Sequence, residues 1–321
     1  MKKPVLILPL IVILLFNSCK PRNVSEEQNS QSPLKGHISL SGAFALYPVT
    51  VLWADEFRKE NPDVVIDISA GGAGKGMADA LSGMVDLGMF SRGITPQEEE
   101  LGVWYVALTK DAVIPTINAN NPFLKDILQR GITKDEMISL FIKGEIKTWE
   151  QLLGKTGNTS LNVYTRSDAC GAAAMWAEHL GAKQEDLTGT GVFGDPGLAD
   201  AVKNDILAIG YNNVNYVYDI ETRNKFNKLE VMPIDFNDNG TIDDEEKVYD
   251  NLESINAAIV SGAYPSPPAR DLYFVAKGKP QKKEVLAFIE WILTKGQAYV
   301  SKAGYVPLSD LRISEEIKKI K

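Results

Sequence analysis

The chain has 321 residues, of which 44% are hydrophobic and 24% charged, a composition typical of a globular protein and not of a disordered or collagen-like one. Its 42 acidic and 34 basic side chains give a formal charge of −8, which argues against a sequence-independent nucleic-acid binder, because such binders neutralise phosphates with Lys and Arg. Two histidines leave little room for histidine chemistry, and the length predicts two domains of about 100 to 200 residues each.

The N-terminal segment has the features of an export signal. Two lysines precede an apolar run at residues 5–16, which is too short for a bilayer core that needs about 20 residues. The small and polar residues that follow lead into Cys19, and this arrangement resembles the lipobox of bacterial lipoproteins. We therefore predict a signal peptide at residues 1–18, lipidation of Cys19 and a polar tether at residues 19–35. Loss of the two lysines would lower the formal charge from −8 to −10.

The first half of the remaining chain repeats one unit: a strand, a turn of small residues and a helix. Pro48 and the Asn61-Pro62 pair are start and stop signals for the first helix. Because strands alternate with helices, the pattern predicts an α/β fold with a parallel sheet that is covered on both faces. The predicted strands are residues 37–41, 64–69, 85–90 and 112–118, and the predicted helices are residues 49–60 and 77–84.

The second half continues the same pattern. A long amphipathic helix is predicted near the C-terminus because Val285, Phe288 and Ile292 recur at helical spacing. The predicted strands are residues 161–164, 206–211 and 271–276, and the predicted helices are residues 133–143, 148–153, 172–180 and 284–300.

Three turns of small residues lie where a strand leads into a helix, at residues 42–45, 71–76 and 168–171. A helix N-terminus presents unpaired N–H groups and a partial positive charge, so it can hold an anion without a charged side chain. The third turn also has Arg166 nearby, a bidentate donor for oxyanions. Taken singly, each turn has a simpler explanation as a site of close backbone packing. The three together with an arginine favour an anion site.

The glycine run at residues 71–76 does not fit the two common nucleotide motifs. A P-loop requires Ser or Thr after the lysine and a glycine six residues before it, whereas Gly76 follows Lys75 and Ser69 takes the glycine position. The dinucleotide fingerprint fails as well, because its third glycine is displaced by one residue. The sequence therefore supports neither ATP nor NAD as a ligand.

An ordered set of segments resembles the phosphate-binding proteins of ABC transporters, which have the type II periplasmic binding protein fold. The resemblance spans residues 36–311 and rests on SGAFALYPVTVLWADEF, SAGGAGKGM, VDLGMFSR, LFIKGEIKTWEQL, TRSDACGAAAMW and AIGYNNV. It implies an α/β fold of two lobes with the ligand cleft between them. The implied lobes are residues 36–115 with 268–321, and residues 116–267.

The same resemblance implies which residues contact the anion. By position they are Phe44, Ala45, Ala73, Gly74, Ser91, Arg92, Arg166, Asp168, Cys170, Gly171 and Ala172. Well-known members of the family have Ser or Thr where this chain has Phe44, Ala73, Cys170 and Ala172. Each lost hydroxyl bond is worth about 0.5 to 1.5 kcal/mol. The backbone donors and Arg166 remain.

The choice of oxyanion depends on Ser91 and Asp168. Phosphate carries a proton near neutral pH and needs an acceptor, whereas sulfate carries none, and some family members have Asp where this chain has Ser91. A serine hydroxyl accepts a hydrogen bond but does not repel sulfate. The simpler role of Asp168 is to hold the Arg166 guanidinium. Phosphate is the predicted ligand, and sulfate or another tetrahedral oxyanion is the alternative.

Residues 235–246 match the EF-hand calcium loop at every specified position. Gly240 supplies the tight turn and Ile242 the apolar anchor. The alternative is an acidic surface hairpin, because Asp, Asn and Gly are common turn residues. The sequence predicts a structural Ca²⁺ site, with a flanking helix after the loop but none before it. The predicted oxygen ligands are Asp235, Asn237, Asn239, Thr241 through its carbonyl, Asp243 and Glu246.

Few residues suit catalysis, so we predict no enzyme activity. If Cys19 carries lipid, Cys170 is the only free thiol, and no histidine lies near it in the sequence to activate it. The sequence predicts a monomeric, lipid-anchored protein of the cell envelope that captures phosphate for an ABC-transporter permease. A calcium-binding surface protein that kept the fold without transport is the alternative from another class.

Overall fold

The computed structural model describes residues 34–321, so the predicted signal peptide, Cys19 and nearly all of the predicted tether lie outside the described residues. This part of the chain contains nine strands. In chain order they are β1 (Gly36–Gly42), β2 (Val64–Ala70), β3 (Leu87–Phe90), β4 (Val103–Asn118), β5 (Asn162–Arg166), β6 (Thr190–Val192), β7 (Ala208–Asn213), β8 (Leu229–Val231) and β9 (Ala269–Lys277).

Twelve α-helices and three short 3-10 helices complete the described chain. The α-helices are α1 (Tyr47–Glu60), α2 (Ala73–Ser82), α3 (Pro96–Glu100), α4 (Leu124–Arg130), α5 (Lys134–Phe141), α6 (Trp149–Leu153), α7 (Gly171–His179), α8 (Gly194–Asn204), α9 (Leu252–Ser261), α10 (Lys283–Leu293), α11 (Gln297–Val300) and α12 (Asp310–Ile320). The 3-10 helices are Gln184–Asp186, Val214–Tyr216 and Asp244–Glu246. Across residues 34–321, no helix combines the length and the apolar character that a bilayer crossing requires.

The strands form one connected sheet in the order β2-β1-β3-β9-β4-β7-β5-β6, and β8 pairs with β4 outside that path. The outer pairs are parallel: β1 with β2 and β3, and β5 with β6 and β7. The prediction of an all-parallel sheet is therefore wrong at its centre. There β4 runs antiparallel to β7, β8 and β9, and β3 also runs antiparallel to β9. Strand β4 is long enough to pair with β9 through its first part and with β7 and β8 through its second part.

Two large hydrophobic cores lie on either side of this central pair. The first contains buried residues from residues 38–108 and 272–320, and we call this part lobe 1. The second contains buried residues from residues 112–269 together with Val306, and we call this part lobe 2. The change of core along β4 falls between Leu108 and Ala112, a few residues before the sequence-based bound at 115.

Helices α2 and α7, whose starts line the space between the lobes, begin at the small residues Ala73 and Gly171. Helix α1 has Pro48 in its first turn, as its sequence predicts. Helix α2 begins at Ala73 inside the glycine run, four residues before the predicted start at residue 77. Gly72 precedes it with a φ of 91°, a conformation that side-chain-bearing residues rarely adopt. The glycine run is therefore divided between a turn and the first turn of a helix.

The predicted helix at residues 284–300 is two helices. Helix α10 ends at Leu293 and α11 begins at Gln297. Between them, the carbonyl of Gly296 accepts a hydrogen bond from the buried Trp53 indole at 2.9 Å. A Cβ at Gly296 would lie 2.6 Å from the Cα of Ile292, so only glycine fits at this break. A tertiary contact with α1 therefore overrides a continuous helical pattern.

Candidate functional site

The three small-residue turns lie side by side between the lobes. The N–H groups of Gly71 and Gly72 donate to the Gly42 carbonyl, at 2.9 and 3.0 Å, which joins the first two turns. The N–H of Gly74, in the first turn of α2, donates across the cleft to the Ala169 carbonyl at 3.0 Å. The start of α2 therefore contacts both the turn after β1 and the turn before α7.

Some of the glycines in these turns serve close packing. A Cβ at Gly76 would lie 2.5 Å from the Met89 carbonyl oxygen and 2.9 Å from the Cα of Gly42. A Cβ at Gly72 would lie 2.8 Å from a carboxylate oxygen of Asp168 in the other lobe. The simpler packing explanation thus accounts for Gly42 and Gly76, while Gly72 is at the contact between lobes.

Ser91 and Gly171 meet where lobe 1 closes on the start of α7. Ser91 is 2% exposed, and a Cβ at Gly171 would lie 2.2 Å from both its carbonyl oxygen and its Oγ. The first-turn N–H groups of α7, at Gly171 and Ala172, have no acceptor inside the helix. A hydroxyl and unpaired amides therefore share one small region.

Arg166, the last residue of β5, is the only cation of the predicted anion site whose side chain is fully buried in the described structure. Its Nε and Nη2 atoms donate to the two carboxylate oxygens of Asp168, at 2.9 and 2.6 Å. Its Nη1 atom lies 2.6 Å from a carboxylate oxygen of Asp195, an ion-pair distance, although the angle leaves Nη1 without a hydrogen bond. Two carboxylates thus face one guanidinium.

Asp195 belongs to a network of buried polar side chains. Its second oxygen accepts a hydrogen bond from the Asn213 side-chain amide at 2.6 Å. The Asn213 oxygen in turn accepts from Arg270, and the Arg270 Nη2 lies 3.6 Å from Asp111. Asp111 and Arg270 are paired residues of β4 and β9. The network therefore extends from Arg166 in the cleft to β4 and β9, the strands that connect the lobes.

Burial affects the pKa of the four charged groups of this network: Asp111, Arg166, Asp195 and Arg270. It raises the pKa of Asp111 to about 6 and raises the pKa of Asp195, in each case against the opposing pull of a nearby arginine. Burial also lowers the pKa of Arg270. For Arg166, burial alone lowers the pKa, but Asp195 and the other negative groups keep the net pKa above its usual value. Arg166 stays charged.

Phe44 occupies the side of Arg166 that faces lobe 1. Its ring centroid is 5.8 Å from the guanidinium carbon, within the range of a cation–π contact. Across the cleft it meets Phe193 edge to face at 6.0 Å, and Phe193 is 62% exposed. The Phe44 carbonyl accepts from the Tyr216 hydroxyl at 3.1 Å. The position where a family hydroxyl is expected is thus filled by an aromatic ring. The Ala45 carbonyl beside it accepts from Tyr305.

Arg92 does not join the Arg166 cluster. Its guanidinium makes a bidentate ion pair with Glu98, at 2.8 and 3.0 Å, and stacks on the Phe90 ring. It lines a cavity of about 470 Å³ between the lobes, together with Gly74, Cys170 and Gln184. Of the two arginines predicted at the site, only Arg166 lies among the buried carboxylates.

Cys170 and His179 have structural surroundings. The Cys170 sulfur accepts the Ala173 N–H at 3.4 Å as the N-cap of α7, and burial raises its pKa to about 12. The His179 ring donates from Nδ1 to the Pro267 carbonyl at 3.1 Å, and burial lowers its pKa to about 4. At neutral pH the thiol is therefore protonated and the imidazole neutral.

The loop at residues 235–246 is closed by its own hydrogen bonds. The buried Asp235 carboxylate accepts from the N–H groups of Asn239 and Gly240, and the buried Glu246 carboxylate accepts from those of Phe236 and Asp243. Among the described residues, no three Asp, Glu, His or Cys side chains gather as a metal-binding group. The predicted flanking helix begins only at Leu252, because the last three residues of the loop form a 3-10 turn and residues 247–251 are not helical.

Sequence reasoning missed the most buried acidic partner of the site, Asp195. It lies in the first turn of α8, a helix that was not predicted. The available signal was Gly194-Asp195-Pro196, a proline in a first turn after the short strand β6, which is the same strand-turn-helix unit seen earlier in the chain. Asn213 and Arg270 carry no local signal, because only the fold brings them to Asp195.

Comparison with known proteins supports the resemblance predicted from the sequence. A family model described as the PBP superfamily domain matches residues 27–295. The Bacillus subtilis phosphate-binding protein PstS is 25% identical over 328 residues, which covers 98% of both chains. The Synechococcus elongatus protein SphX is 26% identical over 296 residues, covering 88% of this chain and 80% of SphX.

Solved structures show the same fold. A Clostridium perfringens protein with bound phosphate matches with a TM-score of 0.70 and 24% identity, covering 85% of this chain and all of its own. The periplasmic phosphate-binding protein PfluDING matches with a TM-score of 0.66 and 14% identity, covering 87% and 92%. The predicted α/β periplasmic-binding-protein fold is thereby confirmed, and the chain belongs to the PBP superfamily.

Proposed function

We propose that this protein is a substrate-binding protein that captures inorganic phosphate between its lobes for an ABC transporter. The observation that supports this most strongly is the buried Arg166 at the point where the starts of α2 and α7 meet. A phosphate-binding relative aligns with 98% of the chain, which supports the same ligand class. Because this relative is a phosphate-binding protein, we expect the site to bind its ligand without catalysis.

The ligand contacts come mainly from the backbone and from Arg166. The first-turn N–H groups of Gly171 and Ala172 supply donors that need no side chain. Ser91 supplies a hydroxyl against the start of α7. Phe44, Ala73 and Ala172 supply none, and the Cys170 sulfur is already engaged as a cap. We therefore expect weaker binding than in a site lined by several hydroxyls.

Calorimetric titration of the purified protein with phosphate and with sulfate tests the proposal. Wild type binds phosphate, and Arg166→Ala weakens binding at least tenfold. That variant leaves two buried carboxylates without their cation, at a cost of about 3 to 5 kcal/mol in the free energy of unfolding. Arg166→Lys keeps the charge and removes only the planar fork, so it separates loss of binding from loss of folding.

The titration distinguishes the alternatives. Preferential binding of sulfate would identify sulfate as the ligand, since the neutral Ser91 does not repel that anion. Unchanged phosphate affinity in a folded Arg166→Lys variant would remove Arg166 from the site. Stabilisation by calcium without any response to either anion would favour a surface protein that has lost transport.

We propose that the protein acts outside the cytoplasm as a monomer anchored by lipid on Cys19. The apolar run at residues 5–16 and the polar segment at residues 19–35 support this proposal. Mass spectrometry of the membrane fraction is expected to find acylated Cys19, and Cys19→Ser to release the protein into the soluble fraction. A membrane-bound, unmodified wild type would contradict the anchor.

We also propose a structural Ca²⁺ ion in the loop at residues 235–246. The donor set is all oxygen and fits calcium, with three carboxylates on Asp235, Asp243 and Glu246. The amides of Asn237 and Asn239 already contact one oxygen of Asp243, at 3.0 and 2.8 Å. Ile242 is 9% exposed and anchors the loop beside α4 through an N–H bond to the Gln129 carbonyl.

Thermal unfolding with calcium and with chelator tests this ion. Wild type is expected to melt several degrees higher with calcium, because a ligand that binds only the folded state stabilises it. Glu246→Gln should lose most of that increment. Asp244→Asn is the matched control, since Asp244 lies in the same loop and is not one of the predicted ligands. Equal melting temperatures with calcium and chelator in wild type would refute the proposal.

A further inference from the structure

The Arg166 guanidinium has one edge left for a ligand, and Asp195 faces it. A guanidinium offers five N–H groups in a fixed fork. Asp168 takes the edge formed by Nε and Nη2. The other edge, formed by Nη1 and the second Nη2 hydrogen, has the Asp195 carboxylate 2.6 Å from Nη1. An incoming oxyanion and Asp195 must therefore use the same edge.

The charges around Asp195 leave no surplus of positive charge for a dianion. The groups that face it are Arg166 of β5, Asp168 and the Cys170 thiol of the next turn, Asp111 of β4, Arg270 of β9 and the Tyr216 hydroxyl of a 3-10 helix. With the thiol and the hydroxyl neutral, three carboxylates face two guanidinium groups. A dianion that enters adds two further negative charges to a buried cluster, which is costly unless one carboxylate is neutralised.

Asp195 is the carboxylate placed to take up that proton. It is 2% exposed, and its oxygen away from Arg166 is held by the Asn213 amide at 2.6 Å. Asp168, by contrast, is tied by Arg166 at both oxygens and by the Gly194 N–H at 3.0 Å. Burial raises the pKa of Asp195, although Arg166 opposes that shift, so burial favours the neutral form of this carboxylate.

We propose that Asp195 makes anion capture by this protein proton-linked: when a tetrahedral oxyanion takes the free edge of Arg166, Asp195 gives up that edge and accepts one proton from solvent. The inference rests on the proposed function and assigns Asp195 as a positioning residue that acts through Arg166. Because the complex holds one more proton than the free protein, affinity rises as pH falls.

Calorimetric titration of wild type and Asp195→Asn with inorganic phosphate at pH 6.0 and 8.0 tests this. Asparagine keeps the shape and cannot ionise. At pH 8.0 the variant is expected to bind phosphate at least tenfold more tightly than wild type. The ratio of the affinity at pH 6.0 to the affinity at pH 8.0 should be at least five times larger for wild type than for the variant. The proton of phosphate itself cancels in this comparison, since both proteins meet the same ligand.

A proton count supplies a readout that a purely structural residue would not move. Titrations in two buffers of different ionisation enthalpy are expected to show about one more proton taken up per anion by wild type than by the variant. Asp195→Ser serves the same purpose should Asp195→Asn fail to fold, because serine is also uncharged. Glu316→Gln is the control: this buried carboxylate of α12 lies in lobe 1, bonded to the Ala107 N–H. It is expected to change stability and leave the pH profile as in wild type.

The outcomes separate this inference from the proposed function. Equal affinities, equal pH profiles and equal proton counts in wild type and Asp195→Asn, with clear phosphate binding in both, overturn the inference alone. Failure of both proteins to bind phosphate at either pH overturns the proposed function together with the inference.

Discussion

Phe44 is the residue at which this cleft departs most from the family that the sequence resembles. A hydroxyl there would donate to an anion, whereas the Phe44 ring lies 5.8 Å from the Arg166 guanidinium carbon and cannot donate. The ring also meets Phe193 of lobe 2 edge to face. Phe44 therefore shields Arg166 and joins the lobes, and it does so without contributing a polar contact to a ligand.

Phe44→Thr is expected to tighten phosphate binding about two- to tenfold, the value of one added hydrogen bond of about 0.5 to 1.5 kcal/mol. Calorimetry measures the change. Phe193→Ala removes the partner ring and adds no hydroxyl, so it should bring no such gain. A Phe44→Thr variant that folds and binds phosphate more weakly than wild type would show that the ring itself contributes to the site.

The sequence predicts individual site residues where a local pattern marks them. Arg166 ends strand β5 and Asp168 follows it, so their pairing needs only a two-residue separation. Asp195 lies 29 positions from Arg166 in sequence, on a helix that the hydrophobic pattern did not reveal. Its direct partners, Arg166 and Asn213, come from the strands β5 and β7, which no single-sequence pattern brings together.

At the scale of elements, the start of α7 packs directly against the residue that follows β3. A Cβ at Gly171 would lie 2.2 Å from the Ser91 carbonyl oxygen and Oγ. Because Gly171 belongs to lobe 2 and Ser91 follows β3 in lobe 1, this contact exists only while the lobes are closed on each other. Glycine at this position therefore permits both closure and access to the first-turn amides.

Gly171→Ala is expected to lower phosphate affinity at least tenfold with little change in the denaturant midpoint, because the lobes separate while their cores stay intact. Titration and urea unfolding of one sample measure both quantities. Gly93→Ala is the matched control, since a Cβ there meets nothing within 4 Å. Unchanged affinity in Gly171→Ala would mean that ligand binding does not require this contact.

Element prediction succeeded where one pattern persisted and failed where tertiary contacts took over. The strand-turn-helix units that begin at β1 and β2 have Pro48 and Gly72 as local signals. The sequence predicted only the second part of β4, since nothing local shows that one strand spans both lobes. The break before α11 depends on the Trp53 bond to Gly296, a contact between residues 243 positions apart.

At the scale of the whole molecule, two antiparallel strands connect the lobes and contain a buried ion pair. Asp111 of β4 and Arg270 of β9 are paired in register, and their side chains are 2% exposed. Burial raises the pKa of Asp111 to about 6, although Arg270 opposes that shift. A charged carboxylate at the crossing of the lobes is therefore unfavourable, and its ionisation affects the stability of the folded protein.

The sign of this effect follows from proton binding. The folded state keeps a proton on Asp111 that the unfolded state releases near pH 4, so this group's contribution to stability is present at low pH and is lost as pH rises through about 6. Asp111→Asn removes that dependence. The free energy of unfolding of the variant minus that of wild type should therefore increase by about 2 kcal/mol from pH 4.5 to pH 7.

Urea unfolding at the two pH values measures the difference. Asp200→Asn is the control, because the Asp200 side chain is 67% exposed, and its difference from wild type should stay constant. A constant difference for Asp111→Asn as well would contradict the assignment of this titration to Asp111. The result does not depend on any ligand, since both proteins unfold without one.

The most direct test of phosphate capture between the lobes is a crystal structure of the protein grown with phosphate. The expected result is a tetrahedral anion against the Nη1–Nη2 edge of Arg166 and the first-turn amides of α7, with Asp195 withdrawn from that edge. An anion bound elsewhere, or a cleft without anion in which Arg166 keeps both carboxylates, would contradict the account.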